Sequence, residues 1–498
     1  MIARSAGDPV AGEPVPGTSP LPLPLAARLP AGDPFGALEL IAAGPVHPAV
    51  LELPAVDPGP WAELAAAARE VLPGALLAVR AQEDPTAGDP TGEGLAAGAA
   101  LLPSAAALLP SAAALGTVDD VDATRALGDA LGDLLAGLGI DVLLGPVLHV
   151  AGGPDPLVGT AAVGRDGDLV ARHGRALAAG VRDAGIAACG LALPGLGGIP
   201  WADAAGDRPG EGVPLTGAQW RDHLLPWAIA PWLDAVLAAP VAASALGAGT
   251  AALAPWPLRL LEESAHAPFH GLLVAGDLGV AAARDGLDLP EAVLAAARAG
   301  AHVLHVGDPS ALAPAAAALR EAERTGKLPP ELLAQRTGAA AERLAALRAR
   351  RRWLPTPDPA AAAAVLAARS SALALRAVRA RRAALDLRPV AVVDLREQAG
   401  AAALVEALRA RHLQAESPLY AADLEAAPQL LALTGRGMRD PGETERLRAL
   451  LGARPDAIVV HTDLRESLPE AERTVSSLGA SRTMLAAAVA ALLGDRPA

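Results

Sequence analysis

Sulfur and aromatic side chains are scarce in this chain of 498 residues. It contains one cysteine, Cys189, which excludes an internal disulfide framework. Cys189 lies in an apolar run with no activating base beside it in sequence, and this favours a buried, inert thiol over a nucleophile. Aromatic residues make up 2% of the chain, and alanine supplies much of the 52% hydrophobic fraction. This composition predicts close-packed helices around a sizeable core.

Long uninterrupted apolar runs are also missing. Proline, aspartate or arginine breaks every long run before it reaches the ~20 residues that a membrane-spanning helix needs. The first residues lack the basic region and apolar core of a secretion signal. We therefore expect a cytoplasmic protein without a membrane partner.

Positive charge is in deficit, because the formal net charge is −14. This predicts that nucleic acid is not a partner. Arginines cluster at 348–352 and 376–382, but both clusters lie on alanine-rich helical stretches, so a solvated face or interdomain salt bridges is the favoured interpretation. No GxxxxGK[ST] loop occurs, and Gly435 and Gly437 form too short a glycine signal for a dinucleotide site. We expect no cofactor.

Histidine pairs give no metal signal. His302 and His305 are three residues apart on a predicted strand, so their side chains face opposite sides and ordinary packing is favoured over a metal pair. We expect no metal site.

Short apolar runs alternate with longer alanine-rich amphipathic stretches from Phe35 onward, which is typical of βα units around a parallel sheet. Strands are predicted at 38–42, 75–79, 142–150, 186–193, 240–246, 272–277 and 303–306. Helices are predicted at 61–71, 122–138, 168–184, 220–236 and 291–299. Seven such steps favour a (β/α)8 barrel over an open sheet, with the eighth step unassigned.

Composition shifts predict four parts of the chain. Residues 1–34 are rich in proline and glycine without periodicity and are expected to be a flexible leader. The barrel is expected over 35–353, and a proline-punctuated linker over 354–369. Residues 370–498 return to an α/β texture and predict a smaller C-terminal domain, with strands at 390–395 and 457–462 and a closing helix at 482–493.

Several segments resemble, in the same order, the barrel domain of family 3 glycoside hydrolases of the β-N-acetylhexosaminidase type. They are residues 109–116, 139–149, 155–164, 194–197, 271–278, 297–304 and 326–333, with a weaker match at 478–483. The resemblance implies a (β/α)8 barrel with a C-terminal α/β domain and a retaining hydrolysis of amino-sugar or cell-wall glycans. A convergent barrel with accidental matches is the alternative.

The resemblance also implies where the nucleophile should lie. The family's carboxylate comes five residues after the glycine matched by Gly271, and that position is Gly276. Asp277 is the next residue, and the alternation of strand side chains points it to the other face. A β-bulge at Gly276 would re-aim Asp277 into the site. Asp277 is therefore the candidate catalytic residue under the bulge hypothesis alone.

The other family positions carry mostly apolar residues. The acid/base Asp-x-His pair falls on Ala202 and Ala204, with Asp203 between them as a turn residue. The remaining replaced positions are Leu191 and Ala192 for a Lys-His pair, Leu196 for a histidine, Ala81 for the sugar-hydroxyl aspartate, Ala161 for an arginine and Ala245 for a histidine. Each replacement removes a hydrogen bond to a sugar.

Tryptophans cluster beside the expected cleft. Trp201 and Trp227 are the candidate substrate-binding residues, because an indole face can stack on a sugar; core or lid packing is the other interpretation. Taken with the lost polar positions, the sequence favours a degenerate family member that serves as a binding or scaffold module for an amino-sugar or glycan ligand. The alternative is an active β-N-acetylhexosaminidase with Asp277 as nucleophile. No protein partner is predicted.

Overall fold

The computed structural model describes residues 23–54, 59–80, 109–153, 158–199, 215–350, 354–396, 401–417, 426–435, 441–465 and 470–495. In this part of the chain, eight parallel strands close into a barrel, and six further strands form a second sheet. The architecture confirms the expected (β/α)8 barrel followed by a smaller α/β domain.

The barrel strands follow one another in chain order around the ring. They are β1 Leu25–Arg28, β2 Val50–Glu52, β3 Leu76–Val79, β4 Val142–Val147, β5 Ala187–Leu193, β6 Ala235–Ala238, β7 Leu272–Ala275 and β8 Val303–His305. Strand β1 closes the ring by pairing with β8, where Leu25 lies opposite Leu304. Every residue of β3, β4 and β5 is buried, as expected for parallel strands covered on both faces.

The described helices of the barrel half lie outside the ring. They are α1 Pro34–Ala43, α2 Gly59–Val71, α3 Ala112–Val118, α4 Val121–Gly137, α5 Gly167–Asp183, α6 Gly217–Leu224, α7 Trp256–Ala265, α8 Leu278–Asp285, α9 Leu289–Ala299, α10 Leu312–Arg324 and α11 Pro330–Arg350, with 3-10 turns at Gly159–Ala161, Leu225–Trp232 and Pro309–Ala311. Glycines let α4 and α5 pack closely, since a Cβ on Gly180 would come 2.5 Å from the Arg125 carbonyl oxygen.

The barrel begins earlier than predicted. Residues 25–28, assigned to the flexible leader, form β1, and the Pro24 carbonyl accepts a hydrogen bond from the Leu304 N–H at 3.0 Å. The prediction of a strand at 38–42 is wrong, because these residues lie in α1. Asp33 caps that helix by accepting the Gly36 N–H at 2.9 Å, and Pro34 occupies its first turn, which is a helix-start signal.

The sixth strand also lies elsewhere than predicted. Strand β6 ends at Ala238, before the predicted strand at 240–246, and it takes residues from the end of the predicted helix at 220–236. That helix stops early because Pro226 and Pro231 lie in the 3-10 turn that follows α6.

The second sheet consists of β9 Arg379–Arg381, β10 Val390–Asp394, β11 Ala415–Glu416, β12 Gln429–Thr434, β13 Ile458–His461 and β14 Thr474–Ser476. Its order is β11-β10-β12-β13-β14-β9, parallel except for β9. Its described helices are α12 Pro359–Ala377, α13 Ala402–Ala410, α14 Pro441–Ala453 and α15 Arg482–Leu492. The strands predicted at 390–395 and 457–462 and the closing helix correspond to β10, β13 and α15.

Helix α12 occupies most of the predicted linker and joins both domains. It begins after Asp358, whose side chain accepts the Ala360 N–H at 3.1 Å. Leu366 and Leu373 pack into the barrel core, whereas Ala374 belongs to the core of the second domain. Among the described helices, α12 is the one with the length and composition of a membrane span, and its apolar residues contact α4 and α15.

Candidate functional site at the barrel mouth

The carboxyl ends of the barrel strands form the face where barrels of this type hold their ligands. Arg28, Glu52 and His305 are the last residues of β1, β2 and β8, and Arg80 follows β3 directly. Asp277 follows β7 by two residues. All of these side chains therefore start from the same end of the barrel.

The end of β7 has the geometry of the ungapped alignment. The register between β6 and β7 is regular to Ala238 and Ala275, and the Gly276 N–H then donates to the Ala238 carbonyl at 2.9 Å. The register therefore shows no bulge up to Ala275, and the bulge hypothesis for Asp277 stays a prediction. In the ungapped alignment, Gly276 is the residue at the expected nucleophile position.

The space beside Gly276 is filled. A Cβ on this residue would come 2.6 Å from the Ala238 carbonyl oxygen and 2.7 Å from Cδ2 of Leu237. Real Cβ atoms do not approach other atoms so closely, and a carboxylate would be larger still. Gly276, the residue that the family resemblance aligns with the nucleophile, is therefore packed by an apolar neighbour.

Asp277 instead begins helix α8. Its carboxylate accepts the Val280 N–H at 3.2 Å, which is the N-cap contact of that helix. The same carboxylate lies against Gly307, where a Cβ would come 2.7 Å from Oδ1. No ion pair joins Asp277 to any residue in the described parts of the chain. Asp277 has a structural role at the mouth that requires no catalysis.

The end of β5 is apolar at the positions that the family resemblance singles out. Leu191, Ala192 and Leu196 are fully buried. The indole N–H of Trp227 donates to the Pro194 carbonyl at 3.0 Å, and the Trp227 side chain is fully buried. Trp227 therefore has no face open to a sugar, and its prediction as a stacking residue is wrong. It holds the turn after β5 in place.

Several predicted site residues lie outside the described residues. These are Trp201, Ala202, Asp203 and Ala204 in the segment after β5, and Ala81 after β3. Their roles stay predictions. Ala161 is buried and Ala245 is exposed, so neither supplies a polar group to the mouth.

The polar groups of the mouth form a cluster that the sequence analysis missed. The cluster consists of Arg28, Glu52, Arg80 and His305, and we refer to it as the mouth cluster. Arg80 Nε donates to Glu52 Oε1 at 2.7 Å, and His305 Nε2 lies 3.0 Å from Glu52 Oε2. Arg28 Nε lies 3.0 Å from Glu52 Oε1. One carboxylate therefore contacts three nitrogen-bearing side chains.

Glu52 is ionised in this environment. Burial raises the pKa of the Glu52 carboxyl, but Arg28, Arg80 and His305 together outweigh burial and hold the pKa well below the ordinary 4.5. An ionised carboxylate has no proton to give, so Glu52 is unsuited to protonate a leaving group.

His305 is held by hydrogen bonds at both ring nitrogens. Its Nδ1 accepts the Gly307 N–H at 3.2 Å, and its Nε2 is the atom that faces Glu52. His302 lies apart from it, where its Nδ1 accepts the Leu273 N–H at 3.1 Å. Burial, with Arg343 and Arg336 nearby, lowers the pKa of His302 to about 4. The two histidines do not face one another, as their strand positions predicted.

Charged residues at the ends of apolar runs were the signal that could have revealed the cluster. Glu52 ends the run that begins at Ala49, and Arg80 ends the run that begins at Ala75. In a barrel, the carboxyl ends of neighbouring strands meet at one face, so these residues and Arg28 were bound to be neighbours once β1 and β2 were assigned.

Cys189 lies within β5 and is fully buried, as predicted. Burial raises the pKa of the Cys189 thiol to about 12. The thiol is therefore protonated at neutral pH and is not an activated nucleophile.

Comparison with known proteins places these features in a family. The model of the glycosyl hydrolase family 3 N terminal domain matches residues 95–346. A β-hexosaminidase from Methylococcus capsulatus is 32% identical over 191 residues, which cover 37% of this chain. The chain matches about half of that relative's length, 55%.

Solved structures agree in fold. A family 3 β-N-acetylglucosaminidase from a Paenibacillus species is similar with a TM-score of 0.70 and 20% identity, covering 95% of each chain. A family 3 glycosyl hydrolase from Mycobacterium smegmatis is similar with a TM-score of 0.52 and 24% identity, covering 66% of this chain and 95% of that one. Because the family model covers just over half of the residues, the chain belongs to glycosyl hydrolase family 3.

Proposed function

We propose that this family member is a degenerate glycosidase, a pseudoenzyme whose barrel serves as a binding or scaffold module for an amino-sugar or glycan ligand. The observation that carries the proposal is the end of β7, where Gly276 stands at the nucleophile position and Leu237 packs against it. Retaining hydrolysis requires a carboxylate there to form the glycosyl-enzyme intermediate. At the end of β7, the Leu237 side chain fills the space that such a carboxylate would occupy.

The described mouth also lacks a suitable acid. Retaining enzymes need a second group that holds a proton near neutral pH and gives it to the leaving oxygen. Glu52 is ionised because two arginines and His305 surround it. His305 shares its Nε2 proton with Glu52. Neither group is arranged to act as the acid.

The amino-sugar ligand class is supported by the family and by the curated relative, a β-hexosaminidase. An active hydrolase with Asp277 as nucleophile is the competing function, and its support is that Asp277 lies at the mouth, half-buried. Against it, the Asp277 carboxylate is held by the Val280 N–H as a helix cap.

The test is hydrolysis of an aryl N-acetyl-β-glucosaminide by the purified protein. We expect turnover equal to that of Asp277→Asn, which removes the negative charge and keeps an N-cap side chain. A wild-type rate that falls by several orders of magnitude in Asp277→Asn, with unchanged thermal stability, would establish Asp277 as the nucleophile and overturn the proposal.

A further inference from the structure

Arg28 has more hydrogen-bonding capacity than the protein uses. Its side chain is 18% exposed, and its Nε lies 3.0 Å from Glu52 Oε1 without the alignment of a hydrogen bond. No group in the described residues accepts a hydrogen bond from its two Nη atoms. A guanidinium has five N–H donors, and here they contribute no hydrogen bond within that part of the chain.

In the mouth cluster, Arg28 shares its described carboxylate partner, Glu52, with Arg80. Both oxygens of Glu52 are already engaged by the cluster. Charge that is mostly removed from water is stabilised by an opposite charge with hydrogen bonds.

Asp277 follows β7 at the same end of the barrel, but it forms no ion pair with the cluster within the described residues. Its carboxylate lies against Gly307, and the Gly307 carbonyl accepts the Arg28 backbone N–H at 2.8 Å. Its described hydrogen bond is the helix cap to Val280. Asp277 therefore lies beside the Gly307 backbone that pairs with Arg28, without an ion pair to the guanidinium.

We infer that the barrel mouth binds an oxyanion, a carboxylate or phosphate group carried by the ligand, on the guanidinium of Arg28. A planar guanidinium with free N–H donors suits both groups, since each presents two oxygens at matching spacing. This inference rests on the proposed function in one respect, namely that the mouth binds a ligand. It adds that the ligand is anionic.

The test is calorimetric titration of the full chain at fixed ionic strength with glucuronate, glucose 6-phosphate, inorganic phosphate and glucose. We expect at least one of the three anions to bind and glucose to bind at least about tenfold more weakly, because charge-assisted hydrogen bonds are lost. The preferred anion identifies the group as a sugar carboxylate, a sugar phosphate or free phosphate. Heat from no anion, or equal affinity for glucose and the anions, overturns the inference.

Matched variants assign the effect to Arg28. Arg28→Gln is expected to weaken anion binding about tenfold or more, whereas Arg125→Gln, which removes the same charge from the surface pair with Asp183, leaves it unchanged. If Arg28→Gln fails to fold, Arg28→Lys keeps the charge and loses the planar fork, so weaker binding is still expected. Unchanged affinity in a folded Arg28 variant overturns the inference.

The measurement is independent of hydrolysis. Turnover that depends on Asp277 would overturn the proposed function and leave anion binding by Arg28 intact. Absence of turnover together with absence of anion binding would leave the proposed function intact and overturn anion binding by Arg28.

Discussion

The two halves of the barrel mouth differ in their chemistry. Around the ends of β5 to β7, the family's polar positions are apolar and the space is packed, as at Gly276 and Leu237. Around the ends of β8 and β1 to β3, charged side chains are buried together in the mouth cluster. At Gly276 an apolar side chain fills the space, whereas in the mouth cluster one carboxylate contacts three nitrogen-bearing side chains. Packing therefore dominates one half of the mouth, and electrostatic interactions dominate the other.

Removing Glu52 should cause the largest loss of stability, because the mouth cluster shares its carboxylate. Glu52→Ala leaves Arg28 and Arg80 buried without their shared carboxylate, and we expect a loss of about 3–5 kcal/mol in the free energy of unfolding. Urea denaturation measures it. Asp183→Ala, which breaks the exposed pair with Arg125, should cost less than about 1 kcal/mol. Equal effects of the two variants would mean that the cluster is no more than a surface pair.

His302 should make the free energy of unfolding depend on pH. His302 has a folded pKa of about 4, below its ordinary 6.5, so the unfolded chain takes up a proton that the folded protein refuses. The free energy of unfolding should therefore fall as the pH falls from 6.5 towards 4, by up to about 3 kcal/mol. Below pH 4, the contribution of His302 should no longer change with pH.

Removing His302 tests this pH dependence. His302→Asn should lose most of the change in unfolding free energy between pH 7 and pH 4.5, as measured with urea at each pH. His270→Asn, at an exposed position, should keep it. Glu52 adds its own loss at lower pH, because its folded pKa is lowered and its stabilisation disappears as the pH falls through that value.

A carboxylate introduced at position 276 tests whether Leu237 fills the space beside it. Gly276→Asp should destabilise the protein by about 1–3 kcal/mol, because its Cβ would overlap Leu237 and the Ala238 carbonyl. It should not create turnover, since neither Glu52 nor His305, the acid candidates among the described residues of the mouth, is arranged to protonate a leaving group. In a double-mutant cycle, Leu237→Ala should cost less in the Gly276→Asp background than alone. Strict additivity would show that Leu237 does not occupy the site.

Asp277 should give the smallest effect on stability. Asp277→Ala removes a helix cap and should cost about 1 kcal/mol, whereas Asp277→Asn should cost a few tenths at most. Thermal unfolding measures both. Because Asp277→Asn removes a negative charge from the barrel mouth, it should also strengthen anion binding modestly. Weaker binding in this variant would place Asp277 among the ligand's donors and acceptors.

The fold was predictable from sequence wherever an element was long and apolar. Strands β3, β4, β5, β7 and β8 fall on the predicted runs, since continuous apolar segments are typical of parallel strands buried on both faces. Strand β1 was hidden because its four residues follow a proline-rich stretch. Strand β2 was missed because its short apolar run ends at Glu52 and lies between Pro48 and Pro54.

The candidate site divides in the same way. The glycine at position 276 could be identified from one short segment, because it and Asp277 follow the matched Gly271 without a gap. The mouth cluster was missed because its four residues come from four separate segments, two of which, β1 and β2, were not predicted as strands. Only the closure of β1 against β8 brings His305 to Glu52. Trp227 was misassigned because burial of an indole depends on tertiary packing.

Helix α12 makes the proline-marked boundary a poor place to divide the molecule. Leu373 belongs to one core and the adjacent Ala374 to the other, while Ala114 from α3 of the barrel packs in the second core. Ser111 Oγ also donates to the Leu478 carbonyl across the two domains. Because each core includes residues of α12, unfolding of one core removes packing contacts from the other. The two domains should therefore unfold in a single cooperative transition. A chain cut after Leu354 would expose apolar surface on both pieces.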